Sequence, residues 1–424
     1  MDNIIAKNTL EKSCKTNNFR NFNWHDPQKG FTDNQWYYYQ ARHTVFFTTF
    51  LKEEITDTNL LGFAKQLVTL APQLLAGFEN VGDGVDFSEE ILAKICSYKI
   101  VAELNEYPNK WDIEGKEIFT DTNLPLFRIK AVIRKNGPDD QGRHAMILFL
   151  STHSLIEGAD SSLLIGSKKT ELIGEDKLKK ASFLTRTYYK IIASIVAPLQ
   201  VLAAEILVSK NYDVANKSFV VDNAKLRRIA KSLGISRRTL MFSSVAFVLN
   251  DGGKAFSKRA ISIVYADMDS VRDYKINTDF FKFHAMVAKF KVKKDFISFA
   301  QSAEKSLKNV ENNNPNSSQD FLDAIFNIHR FLKKYLPFIY SSKTFRFSAG
   351  YHLNLSLTPP QRLSGDFTKS FIEPVYCGAH NPGLDICVFA PGRTKTSFNF
   401  AMSKNHLKNV EKIQTLLEQL DQGK

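Results

Sequence analysis

Residues 126–134 and 144–152 are two apolar-rich runs. Between them lies Lys135-Asn136-Gly137-Pro138-Asp139-Asp140-Gln141-Gly142-Arg143, which is dense in turn formers. Strand-forming residues on both sides of such a break predict an antiparallel hairpin, which commits this part of the chain to a sheet. The hairpin also sets the place of His153, because its second strand delivers that residue to the rim of the sheet. Glu157 and Gly158 come four and five residues later, ahead of Ala159, Leu163 and Leu164. Glycine lets the chain turn tightly there and start a helix, and Asp160 suits the helix dipole. An imidazole at a sheet rim, with an ordinary pKa of about 6.5, is a natural general base toward a hydroxyl or thiol.

Strand and helix patterns alternate along the rest of the chain. Residues 44–51 are aromatic and β-branched and read as a strand. Asp57 can cap a helix with Leu60, Leu61, Ala64, Leu67, Val68 and Ala71 on one face, ended by Pro72, and residues 88–97 read as another helix. Further on, Asp222 caps a helix with Leu226, Ile229, Ala230 and Leu233 at i, i+3, i+4 and i+7, closed by Gly234. A helix over 239–249 comes next, with strands at 261–266, 287–292, 345–357, 384–389 and 396–401. The polar tract 311–318 reads as a loop. A last helix over 405–420 turns Leu407, Val410, Ile413, Leu417 and Leu420 inward.

The order is that of an α/β chain, alike in its two halves. A length of 424 residues exceeds one ordinary core. The expected division is 1–165, a helical connector over 166–218, and 219–424. Within the connector, residues 191–208 are apolar but interrupted by Pro198, Gln200 and Glu205. They read as a helix packed between domains. The alternative is an interfacial element docking on lipid, with Lys190 and Lys210 at its ends.

Charge and motif content exclude several classes. The 57 Lys and Arg against 44 Asp and Glu leave +13, but the cations are spread as doublets such as Lys179-Lys180 and Arg237-Arg238, so no nucleic-acid partner is expected. Cys14, Cys96, Cys377 and Cys387 form no CxxC pair, which argues for reduced thiols in a cytoplasm. The N-terminus shows no basic start with an apolar core behind it. The histidines have no metal-ligand spacing, so no metal is expected. Ser151 and Ser154 flank His153 without a G-x-S-x-G elbow, and the phosphate-binding glycine motifs are absent.

Thr152-His153-Ser154-Leu155-Ile156-Glu157-Gly158 resembles the HHxxxDG motif of the CoA-dependent acyltransferase superfamily, in particular its wax ester synthase/diacylglycerol acyltransferase-like branch. Thr152 stands for the first His and Glu157 for the Asp. Leu124-Pro125-Leu126-Phe127 is similar to the PLW element upstream of that motif, and Arg238-Thr239 occupies the place of an Asn-Asp pair. The resemblance implies two similar chloramphenicol acetyltransferase-like α/β subdomains, with mixed sheets flanked by helices, joined by a crossover and enclosing an active-site tunnel.

It implies His153 as the base, Glu157 and Gly158 as supports of its loop, and Asn354, Ser356 and Thr358 as candidates to line the tunnel. Acyl-CoA would be co-substrate, with no bound cofactor, and an alcohol hydroxyl would attack the thioester directly. Location would be cytoplasmic with peripheral membrane contact. Two alternatives stay open: a condensation-type enzyme fed by an acyl carrier protein, and a lipid- or CoA-binding protein of the same fold without turnover.

Overall fold

The computed structural model describes residues 33–70, 74, 94–104, 118–119, 124–156, 182–207, 214–252, 260–267, 285–313, 317–341, 344, 353–358, 367–381 and 384–423. The chain divides into two compact units. The first comprises Met1–Gly174, Arg272–Lys282 and Pro360–Ala379; the second comprises Glu175–Val271, Phe283–Pro359 and His380–Lys424. The units are thus interleaved, where a linear reading places boundaries at 165 and 218.

In the first unit α1 (Asp33–Gln40) leads into β1 (Thr44–Leu51), then α2 (Asp57–Leu70), β2 (Cys96–Val101), β3 (Phe127–Arg134) and β4 (Ala145–Thr152). β3 and β4 form the expected antiparallel hairpin, with Phe127 opposite Ser151. β4 also pairs antiparallel with β1, from Thr44 opposite Thr152 to Leu51 opposite Ala145. The five-stranded sheet runs β2-β3-β4-β1 and ends on a strand from far along the chain, Phe371–His380. Every residue of β1 and β4 is buried, as suits central strands covered on both faces. Phe47 of β1 stacks on Phe149 of β4 at 4.9 Å between centroids.

The incoming strand is anchored where Lys52 N–H donates to the Ser370 carbonyl (2.9 Å) and the Thr49 hydroxyl to that of Ile372 (2.8 Å). Its Gly378 lies under the ring of Phe46, in space that a Cβ would need. The helix expected over 88–97 is corrected at its end: Cys96 and Ser97 open β2, which pairs parallel with β3 from Cys96 opposite Ile129. Sheet pairing overrides local preference there; residues 88–93 lie outside the described residues.

The second unit begins with α3 (Phe183–Leu207), β5 (Val214–Asp222), α4 (Asn223–Leu233) and α5 (Arg237–Gly252). It continues with β6 (Ala260–Asp267), β7 (Ala285–Lys291), α6 (Phe296–Asn313), α7 (Ser317–Tyr335) and β8 (Leu353–Leu357). After Phe371–His380, which is β9, come β10 (Ile386–Pro391), β11 (Lys395–Ser403), α8 (Lys404–Leu407) and α9 (Val410–Asp421). Its six-stranded sheet is ordered β5-β11-β10-β8-β6-β7 and mixes parallel pairs (β6–β8, β8–β10) with antiparallel ones.

α4 follows its sequence pattern: Leu226, Ile229 and Ala230 are buried, and Gly234 closes it in the left-handed region at φ 66°. Val410, Ile413 and Leu417 of α9 point inward as expected. The tract read as a loop is helical at 311–313 and 317–318, with 314–316 outside the described residues. Phe296, Phe299, Ala300, Ala303 and Leu307 of α6 are buried at helical spacing, a stripe legible in the sequence but not anticipated. α3 is a helix of the second unit rather than a separate connector, and Gln200 on it bonds His329 of α7 at 2.8 Å.

Candidate active site

The site is built where β1 begins and β4 ends. α1 terminates with His43 N–H on the Tyr38 carbonyl (3.0 Å) and Arg42 N–H on that of Tyr39 (3.0 Å). Arg42 sits in the left-handed region at φ 50°. This pair of bonds is a Schellman closure, which brings the residues at its two ends into contact. Here those residues are Tyr38 and His43, whose rings meet edge-on at 5.1 Å.

The antiparallel register of β1 and β4 then brings His153 beside His43. The His153 N–H donates to the His43 carbonyl at 2.8 Å, continuing the ladder by one rung. The His153 ring stacks on Tyr38 (4.7 Å, 16° between planes) and lies 4.5 Å from His43 at 54°. Three rings, Tyr38 from the last turn of α1 and the two histidines from the ends of β1 and β4, therefore pack together, and His153 is only 6 % exposed.

Thr152, in the place of a first histidine, has a use of its own. Its hydroxyl accepts the Ser154 N–H at 3.3 Å and donates to the Ser154 hydroxyl at 3.2 Å, while its carbonyl accepts the Leu155 N–H at 3.2 Å. Thr152 thereby closes the turn that carries His153. The neighbouring element is Pro125-Leu126-Phe127. The Leu126 carbonyl accepts both the Ser151 hydroxyl (3.1 Å) and the Thr152 N–H (3.3 Å). Buried Arg128 donates to the carbonyls of Pro125 (2.6 Å) and Phe127 (2.7 Å). The two sequence elements that carry the resemblance thus sit side by side on paired strands.

Burial moves the His153 imidazole down from its ordinary value to about 4; a hydrogen bond with its own main chain works the other way and is outweighed. That depression leaves the ring uncharged at neutral pH.

Other expected site residues fare differently. Glu157, Gly158 and Asp160 lie outside the described residues. Asn354, Ser356 and Thr358 belong to the second unit, in and just after β8. Leu353, Leu355 and Leu357 enter its core, leaving Asn354 and Ser356 half-buried on the opposite face, where the Asn354 amide donates to the Asp385 carbonyl at 3.3 Å. Thr358 is buried with its hydroxyl on the Phe389 carbonyl (3.3 Å). Arg238 pairs with Glu311 at 2.6 Å and the Thr239 hydroxyl donates to Glu304, so both are engaged in holding α5 against α6. Among the described residues no three His, Cys, Asp or Glu side chains converge as metal ligands.

Tyr38 and His43 belong to no motif that the sequence displays. A signal existed, since His43 immediately precedes an expected strand as His153 succeeds one. What the sequence lacks is the register that joins them.

No family model matches the sequence, and no curated protein does. Solved structures do match. The chain is similar to the trichothecene 15-O-acetyltransferase of Fusarium sporotrichioides, with 11 % identity and a TM-score of 0.57 over 92 % of this chain and 94 % of that one. It is similar to polyketide synthase associated protein 5 of Mycobacterium tuberculosis, with 13 % identity and a TM-score of 0.54 over 92 % and 97 %. The cyclization–docking bidomain of the Sorangium cellulosum nonribosomal peptide synthetase EpoB matches with 13 % identity and a TM-score of 0.51 over 92 % and 84 %. The chain has the chloramphenicol acetyltransferase-like, condensation-type fold. At these identities the likeness is one of fold, and the expected α/β architecture with two mixed sheets flanked by helices is the one observed.

Proposed function

We propose that this chain is an O-acyltransferase that moves an acyl group, fatty acyl by preference, from a CoA thioester to the hydroxyl of a long-chain alcohol, diacylglycerol or related lipid. The observation that carries this reading is His153: a buried, neutral imidazole held at a strand end by a main-chain bond and two flanking rings. It accepts the hydroxyl proton as the alcohol oxygen attacks the thioester carbonyl. The tetrahedral intermediate then collapses, the C–S bond breaks, and the imidazolium returns the proton to the departing thiolate. No acyl-enzyme forms. A base with its pKa near 4 is a weak one, but it is wholly unprotonated at pH 7.

Glu157 and Gly158 would shape the loop behind the base, and Asn354 and Ser356 would line the tunnel. Acyl-CoA is then co-substrate rather than a resident cofactor, and a basic excess of +13 suits its phosphates. A cytoplasmic enzyme of this kind meets its lipid acceptor at a membrane surface. The likeness in fold to a cyclization–docking bidomain favours one second reading, in which an acyl carrier protein presents the thioester.

The test is release of free CoA thiol from a panel of acyl-CoAs, with long-chain alcohols and diacylglycerol as acceptors. Acceptor-dependent release by the wild type and none by His153→Ala supports transfer. Release from neither, by folded protein, rejects the CoA reading and sends the assay to carrier-loaded donors.

A further inference from the structure

Proton transfer to His153 creates a full positive charge in a place that opposes it. The imidazole is buried, and burial is what takes its pKa down to about 4. An imidazolium there has lost its hydration, so the rate of the step depends on what meets the charge inside the protein. The polar groups of the turn are already engaged. The Thr152 and Ser154 hydroxyls bond each other at 3.2 Å, and the His43 carbonyl takes the His153 N–H at 2.8 Å.

Two titratable side chains face the imidazole, and they face it differently. His43, at the head of β1, lies 4.5 Å away with its plane tilted by 54°, so it turns neither face nor edge squarely to the ring. If protonated, it would add a like charge. Tyr38, in the last turn of α1, lies 4.7 Å away at 16°, so its π face is nearly parallel to the imidazole. An aromatic ring is negative over its face and positive at its rim. A cation within about 6 Å of the centroid, over that face, is attracted to it, and more strongly where water is excluded.

Tyr38 is also fixed in place. Its carbonyl accepts the His43 N–H at 3.0 Å, and its ring makes T-shaped contacts with Tyr37 (6.2 Å, 84°) and His43 (5.1 Å, 65°). It is itself buried. The face stands ready before the proton moves, so no reorganisation accompanies the step.

We infer that Tyr38 is an electrostatic positioning residue, whose ring face stabilises the imidazolium that His153 becomes while it holds the substrate proton. This rests on the reading of His153 as the base. Tyr38 neither takes nor gives a proton: the proton passes from the alcohol oxygen to His153 and on to the departing thiolate, and the ring lowers the energy of the charged state between. An attraction that exists only while the charge does acts on kcat rather than on KM.

The experiment replaces Tyr38 in the full chain by phenylalanine, then by 4-fluoro-, 3,5-difluoro- and 3,4,5-trifluorophenylalanine, and measures kcat and KM by thiol release, with His153→Ala alongside. Fluorine drains charge from the ring face in steps and hardly changes the size of the ring. The expected result is a kcat that falls with each fluorine, roughly tenfold from phenylalanine to the trifluoro ring, with KM and melting temperature unchanged. Tyr38→Leu, which fills the place without a π face, should lose at least as much. The ring-proton signal of His153 in NMR gives the same ranking without turnover: titrated from about pH 6.5 downward, protonation should begin at lower pH with each fluorine. A kcat that is flat across the series, or a titration that does not move, overturns the inference, because packing alone tolerates every member. A kcat that falls only in step with the melting temperature overturns it too. Wild-type turnover by His153→Ala overturns the base reading and this one with it, whereas a flat series beside an inactive His153→Ala overturns this one alone.

Discussion

His153 directly succeeds β4, and His406 lies in the short helix directly after β11; both sit where a strand gives out against the protein interior. They are tuned in opposite directions. Around His153 the loops supply rings, and burial takes its pKa to about 4. Beside His406 the loop before β10 supplies Asp385, whose carboxylate bonds Nδ1 and holds the imidazole above its ordinary value. Asp385 also accepts the Ser403 N–H at 2.8 Å, so that pair pins α8 onto the sheet. The comparison teaches that a strand-end histidine becomes a neutral base or half of an ion pair according to what the adjoining loop offers.

The sharpest way to break the comparison is kinetic. His153→Ala is expected to lower acyl transfer by about 10²–10⁴-fold, the usual worth of a general base, with the melting temperature little changed. His406→Ala should leave turnover near wild type. Equal losses in the two variants would remove the distinction.

Acid separates them next. His153 is neutral when folded down to about pH 4, whereas an unfolded imidazole protonates near 6.5, so the folded state binds fewer protons in between. Stability is therefore expected to fall by about 3 kcal/mol as pH drops from 6.5 to 4. His153→Gln should flatten that part of a denaturant-versus-pH series.

Asp385→Asn should act with the opposite pH sense. The raised folded pKa of His406 means that the pair's contribution is full below the unfolded value of about 6.5 and disappears as pH rises through the folded one. A destabilisation of about 1–3 kcal/mol is expected in acid, shrinking in base, by urea unfolding of wild type and variant across that range. A gap that widens with pH would contradict the pairing.

The smallest expected effect concerns Arg42, whose φ of 50° costs an L-residue more than glycine. Arg42→Gly should keep the Schellman closure and turnover while raising stability by roughly 0.5 kcal/mol, read as a small rise in melting temperature. Loss of turnover without loss of stability would show that the Arg42 side chain itself matters to the Tyr38–His43–His153 cluster.

Much of this was legible in the sequence. The break at 135–143 announced the hairpin, and the i, i+3, i+4, i+7 stripe with Gly234 announced α4 and its end. The apolar run into His153 announced an imidazole at a sheet rim, which is where it stands. The helix expected at 88–97 gave way to β2 at Cys96 because pairing with β3 supplies what a short local pattern does not. Asn354 and Ser356, read as candidates to line a tunnel, lie in the second compact unit, as their place in the chain implies.

By itself the sequence determined the local elements, since strand alternation, helical spacing and turn chemistry act over a few residues. It also carried the histidine and the turn residue Thr152 that holds it. Only the tertiary structure decided which strands are neighbours. The β1–β4 register brings Tyr38 and His43 against His153. The insertion of β9 beside β1 makes Gly378 necessary under Phe46. The packing of α3 on α7 covers one apolar side of that helix and leaves the other open. Each of these rests on contacts between residues far apart in the chain, whose free energy no short stretch of sequence contains.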